Sequence, residues 1–243
     1  MDSSTVLQRE VCKVKQRNHY RKLAALLEYP QAGYPERVCE IRDSLGKLYP
    51  DACSELDQFL ELLPVHDLTT MQELYTRSFD VQAMTTLDVG YVLFGDDYKR
   101  GVLLANLNSE YREANVDTGT ELADHIPNLL RLMEVLKDEE VLHDLAYAIL
   151  APALLEMMRE FSSDRIEKRN ASYKKHYKTL IETPAVQANA FTLYAHALKA
   201  LYEVLKQDFV SIEKIPLERT EHSNDFLASV GRENDIEERA SAH

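Results

Sequence analysis

Apolar residues recur at three- and four-residue intervals along most of this chain, and that repeat constrains the fold more than any other feature. In "YPERVCEIRDSLGKLYP" the positions are Val38, Ile41, Leu45 and Leu48. In "DACSELDQFLELLP" they are Leu56, Phe59, Leu60 and Leu63, and in "DLTTMQELYTRSFD" they are Met71, Leu74, Tyr75 and Phe79. Side chains at this spacing share one face of a helix, whereas a strand sends alternate residues to opposite faces. Composition agrees: only 7 of 243 residues are glycine, and β-branched runs are few. A hydrophobic share of 45% in a chain of this length is enough for a substantial core.

The breaks between helices are also legible. "YRKLAALLEYP" predicts a first helix that stops near Glu28 ahead of a proline. Pro35 suits the first turn of the second helix, and Asp51 is the expected N-cap of the third, which Pro64 ends. Glycines at 90, 95 and 101 mark "VQAMTTLDVGYVLFGDDYKRG" as an irregular loop. It leads into a helix from about Asp97 to Asn115, with Leu104, Leu107, Tyr111 and Ala114 on its buried face. "VDTGTE" is a loop broken at Gly119, and Pro152 predicts a kink or a new start in the next helical run. "DRIEKRNASYKKHYKTLIE" reads as a polar helix over about 165–180. A last long helix is expected to open at Thr183 and Pro184, with Val186, Ala190, Leu193, Ala197, Leu201 and Val204 as its stripe. From Asp208 the repeat fades into acidic sequence. The expectation is one all-α globular domain of roughly nine helices over 1–207, followed by a flexible acidic tail over 208–243.

The formal net charge is −13. An acidic surface repels phosphate backbones, which argues against nucleic acid as a partner; it suits a basic peptide, or simply solubility. The three cysteines, Cys12, Cys39 and Cys53, form no CxxC pair, so neither a zinc knuckle nor a dithiol motif is present, and a reducing compartment fits. "MDSSTVLQREVCKVKQRNHYRK" carries charges throughout and does not read as a secretory signal. The longest apolar stretch, "LAYAILAPALL", is short for a bilayer and ends at Glu156. A soluble cytoplasmic protein with no direct membrane insertion is expected.

Two segments carry chemistry. In "TELADHIPNLLRLM", Pro127 is poorly placed inside a helix that began at Thr120, so the helix proper starts at Pro127. Glu121, Asp124 and His125 then form its lead-in turn, near the positive end of the helix dipole. One reading is plain capping, with the acids satisfying free N–H groups and His125 orienting one of them. The other is a site. In "GDDYKRG", Lys99 and Arg100 lie at a helix start, where positive charge is disfavoured, and Asp96 and Asp97 compensate. The sharper expectation is that this basic pair faces the acids of the 121–125 turn across a groove walled by Tyr91 and Phe94. HExxH, GxSxG, the P-loop and GxGxxG are all missing, and the di-iron Glu-x-x-His spacing has no two copies. No enzyme activity, metal or cofactor is therefore expected, with a helical metalloenzyme using Glu121, Asp124 and His125 as the opposing reading.

"ELADHIPNLL" resembles the acid-x-x-Asp-His-x-Pro signature of the cytoplasmic assembly chaperones for molybdenum enzymes. These are the nitrate reductase delta-subunit (NarJ-type) proteins and the related TorD/DmsD-like chaperones. "LFGDDYKRG", "YREANV", "LAALLEYP" and "ELYTRSFDV" are similar to the NarJ branch, in order, over about residues 20–160. Leu122 and Ala123 stand where some relatives carry a proline. The resemblance implies an all-helical, non-enzymatic, system-specific chaperone. Its partner is the apo catalytic subunit of a nitrate reductase-like molybdoenzyme, bound by the N-terminal region until the molybdenum cofactor is inserted. Cofactor biosynthesis proteins are candidate further partners. A sister client, such as a chlorate, selenate, ethylbenzene-type or nitrite oxidoreductase, is the alternative. It assigns partner binding to Glu121, Asp124 and His125, with Lys99 and Arg100 beside them.

Overall fold

The computed structural model describes residues 17–81, 83–162, 165 and 192–214. Among these residues every regular element is a helix, and the chain is all-α. The helices are α1 (Asn18–Leu26), α2 (Tyr34–Leu45), α3 (Pro50–Leu62), α4 (Leu68–Phe79), α5 (Val89–Phe94), α6 (Tyr98–Ala114), α7 (Ile126–Val135), α8 (Glu139–Glu160) and α9 (Leu193–Asp208). The expected polar helix over 165–180, the Thr183–Pro184 start and Cys12 lie outside the described residues, Arg165 apart.

The predicted stripes form the core. Val38, Ile41, Leu56, Phe59, Met71, Leu74, Leu107, Ala197, Leu201 and Val204 are all buried. Leu60, Tyr75, Leu104 and Ala114 are only partly buried, with Leu103 the buried neighbour on α6, and Leu48 is 70% exposed. Gly46, at φ +47°, ends α2 and turns the chain into a 3-10 segment, Gly46–Leu48, which throws Leu48 off the stripe. Asp51 lies in the first turn of α3 rather than at its cap, which is Tyr49. Asp67 caps α4 through Thr70 N–H at 3.0 Å, and Asp97 caps α6 through Lys99 N–H at 2.9 Å.

Pro152 stands in the first turn of the α-helical segment Ala151–Glu160, so a new α-helical start does occur there, within the continuous helix α8. The turn before it, Leu145–Leu150, is π-helical, and Ala151 N–H reaches back to Ala146 O. A widened turn absorbs the hydrogen bond that proline cannot make, so the helix runs on through Glu160. By composition α8 is long and apolar enough to cross a membrane, yet Leu145, Ile149, Leu150, Leu154 and Met157 are buried in the fold.

Helix α3 packs along α9, α1 along α7, and α5 against the second half of α8. Tyrosine hydroxyls join these layers. Tyr34 donates to Leu26 O at 2.7 Å and Tyr75 to Leu27 O at 3.1 Å, satisfying carbonyls that the end of α1 leaves open. Their rings, with Phe59, Phe79 and Tyr194, make a chain of edge-to-face contacts between α2, α3, α4 and α9.

The packed structure does not stop at residue 207. The Asp208 carboxylate is buried and accepts from Tyr20 Oη at 2.6 Å, Tyr49 Oη at 2.8 Å and His19 Nε2 at 2.9 Å. Phe209 and Ile212 are buried after it. The fading repeat at Asp208 reflects a carboxylate with three donors, not a passage to surface sequence.

A chain ending at Gln207 should therefore melt roughly 10 °C or more lower, since burying Phe209 and Ile212 contributes about 1.5–3 kcal/mol each. A chain ending at residue 221 should melt with the full-length protein. Scanning calorimetry separates the two, and equal melting temperatures would show that Asp208, Phe209 and Ile212 contribute nothing.

Candidate functional site

The two segments singled out in the sequence meet. Leu87, Asp88 and Val89 run antiparallel to Asp124, His125 and Ile126, joined by Ile126 N–H to Leu87 O at 3.0 Å and Val89 N–H to Asp124 O at 3.0 Å. This short bridge brings the lead-in of α5 against the lead-in of α7, which begins at Ile126 with Pro127 in its first turn. Pro127 suits that position because it lacks only an N–H that the helix start leaves unpaired.

Asp124 is completely buried. Its Oδ2 accepts from Arg100 Nε at 3.2 Å and from Gly90 N–H at 3.2 Å. Arg100 Nη2 reaches the Asp88 Oδ2 at 3.2 Å, and the other Asp88 oxygen accepts from His125 Nδ1 at 3.0 Å. A carboxylate only accepts, so Nδ1 carries the proton. One guanidinium thus bridges two carboxylates, and the exposed Tyr91 ring lies 5.3 Å from its centre.

The two acids titrate in opposite directions. The His125 hydrogen bond and the Arg100 charge hold Asp88 below the usual carboxylate range, against its partial burial. Burial pushes Asp124 up, helped by the Asp88 charge and opposed by the Arg100 hydrogen bond.

The capping reading of the 121–125 turn is corrected. His125 is the N-cap of α7 and makes no side-chain cap bond. Asp124 serves the start of α5 instead, taking Val89 N–H on its carbonyl and Gly90 N–H on its carboxylate. The groove is corrected too: Arg100 touches Asp124 directly, leaving no channel between them. Glu121 is exposed and stays out of the cluster; its charge acts on Tyr75. Lys99 is exposed on the first turn of α6, and Phe94 packs partly buried against the core. Of the expected residues, the fold brings together Tyr91, Arg100, Asp124 and His125. Among the described residues no three His, Cys, Asp or Glu side chains are grouped to hold a metal ion.

Asp88 and Gly90 were not singled out in the sequence. Gly90 is required by a close approach: a Cβ there would lie 2.6 Å from Asp124 Oδ2 and 3.1 Å from both Arg100 Cγ and Leu103 Cδ2. A glycine at the second residue of a short helix is the one local sign of such an approach, and it names no partner.

Compared with known proteins, the chain matches no protein-family model and no curated protein.

Gly90→Ala should destabilise the fold by about 1–3 kcal/mol, because the buried carboxylate cannot yield without leaving Arg100. Gly101→Ala, also within a helix but with open space around it, should stabilise by about 0.5–1 kcal/mol. Urea melts of both variants check the pair, and a neutral Gly90→Ala would show that the contact is not tight.

Asp88 also predicts a pH response. Its folded pKa lies below the unfolded value, so the folded state holds fewer protons. The resulting stability is complete above about pH 4 and is lost as pH falls through the folded value. Asp88→Asn should flatten this limb of the stability curve below about pH 4. A variant curve running parallel to that of the unchanged protein would remove Asp88 as the cause.

Proposed function

We propose that this protein is a cytoplasmic, system-specific chaperone. It binds the N-terminal region of the catalytic subunit of a nitrate reductase-like molybdoenzyme and assists cofactor insertion before membrane docking or export. The observation that carries the reading is the contact between Arg100 and Asp124. "LFGDDYKRG", similar to the NarJ branch, and "ELADHIPNLL", similar to the signature of the wider chaperone family, lie apart in the chain and pair with each other in the fold. Such a pairing is what a shared recognition surface requires.

The chemistry is that of a binding surface. The cluster's acids accept from Arg100, His125 and a backbone N–H, so their charge is spent on holding the two segments together. Tyr91, Tyr98 and Leu122 are exposed on the same two segments at 47%, 84% and 49%. Exposed aromatic and leucine side chains beside a rigid polar cluster suit an amphipathic client segment, which needs an apolar surface with polar ends.

The test is affinity purification of the full chain from its own host grown anaerobically, with co-purifying proteins identified by mass spectrometry. A molybdoenzyme catalytic subunit lacking its cofactor is the expected recovery. Tyr91→Ala should bind that subunit about tenfold more weakly while lowering the melting temperature by only a few degrees, the loss of its contact with Arg100. Recovery of no such subunit, together with stoichiometric bound metal, would sink the reading in favour of a metalloenzyme.

A further inference from the structure

Asn128 sits in the first turn of α7 and is 2% exposed. A buried side-chain amide must place all its hydrogen-bonding groups, and Asn128 does so in one direction only. Its Nδ2 donates to two backbone carbonyls, Thr118 O at 2.9 Å and Leu122 O at 3.1 Å. Its Oδ1 accepts from Arg131 Nη1 at 2.8 Å. Arg131 is held in turn by Glu28, just past the end of α1.

The two carbonyls bracket the segment that carries Glu121 and leads into Asp124 and His125. Besides Asn128, the segment is held by one backbone bond, His125 N–H to Leu122 O at 3.1 Å, and by little else. Gly119 is left-handed at φ +65°, Asp117 bonds only locally to Gly119 N–H, and Thr120, Glu121 and Leu122 are exposed. Tyr111 Oη donates to Ala123 O at 3.0 Å, one residue before the buried carboxylate. We infer that Asn128 is the positioning residue of this turn: it closes the 118–122 loop, and through it sets where Asp124 and His125 meet Asp88, Gly90 and Arg100. The orientation of its amide is imposed by Arg131, so the turn is referenced to the end of α1. Its importance for client binding rests on the proposed function; the positioning itself does not.

Asn128→Asp tests this without changing shape. An ionised carboxylate sets an acceptor against both carbonyls, where the amide donated, while Arg131 can still pair with it. Asn128→Leu removes the donors without adding charge. The readout is amide hydrogen exchange in the full-length chain at Val89, Gly90 and Ile126, the N–H groups that close the bridge to the turn. Amides of Phe59 and Leu201 in the core serve as references. In both variants the three site amides should exchange about tenfold faster or more, with the references unchanged. Unchanged site amides would overturn the inference, showing that Arg100 and Asp124 hold the turn alone. Equal acceleration everywhere would also overturn it, by making Asn128 a general stability residue. Capture of the client subunit is measured separately with the unchanged protein, so its failure there would sink the proposed function, while faster site amides in the variants would leave the positioning role standing.

Discussion

The guanidinium of Arg100 is shared between two carboxylates, one fully buried at Asp124 and one partly exposed at Asp88. A buried carboxylate costs several kcal/mol in desolvation unless opposite charge and hydrogen bonds answer it. Here the answer comes from two places, the side chain of Arg100 on α6 and the second N–H of α5, both on Oδ2, while His125 holds Asp88 on the far side of the guanidinium. None of these elements is close in sequence to all the others. The lead-ins of α5 and α7 meet because Asp124 must be neutralised, and Gly90 has no side chain because Asp124 already occupies that space.

The same economy governs the rest of the molecule. The helices leave open carbonyls and N–H groups at their ends, and buried ends must find partners. Tyr34 and Tyr75 close the end of α1, Tyr111 supports Ala123, and Tyr20 and Tyr49 serve the Asp208 carboxylate at the end of α9. Tyrosine suits this task because its ring packs with the apolar core while its hydroxyl reaches a polar group. With 13 tyrosines and no tryptophan, the chain uses that device at several helix ends. Burial drives the hydroxyls of Tyr34, Tyr75 and Tyr111 above their usual range, so they remain donors.

Asp124 and Asp208 show why polar residues were the hard part of the sequence. Both look like surface residues in a linear reading, and Asp208 even looked like the start of a tail. Each is instead a buried acceptor whose donors lie elsewhere: 24 residues away for Arg100 and Asp124, and more than a hundred for Tyr20 and Asp208. Asn128 belongs to the same class, a polar residue at a helix start that turns inward to hold a loop. Glu121 went the other way, since acid and histidine four apart suggested a shared role that an exposed turn does not provide.

What the sequence determined alone was most of the helices and the main lines of their buried faces; α5 lay hidden in a segment that read as an irregular loop. Periodicity and punctuation are local, so a repeat at 3.6 residues reports the face that leaves water wherever it packs. The start of α7 at Ile126–Pro127 was legible for the same reason, because proline acts on its own turn. The tertiary structure alone decided the partners: that Asp88 joins the cluster, that Arg100 touches Asp124 with no groove between, that Asp124 serves α5 rather than α7, and that a π-helical turn carries α8 past Pro152. Hydrogen bonds and ion pairs are short and directional, and nothing along one chain segment records which distant group will arrive within 3 Å of it.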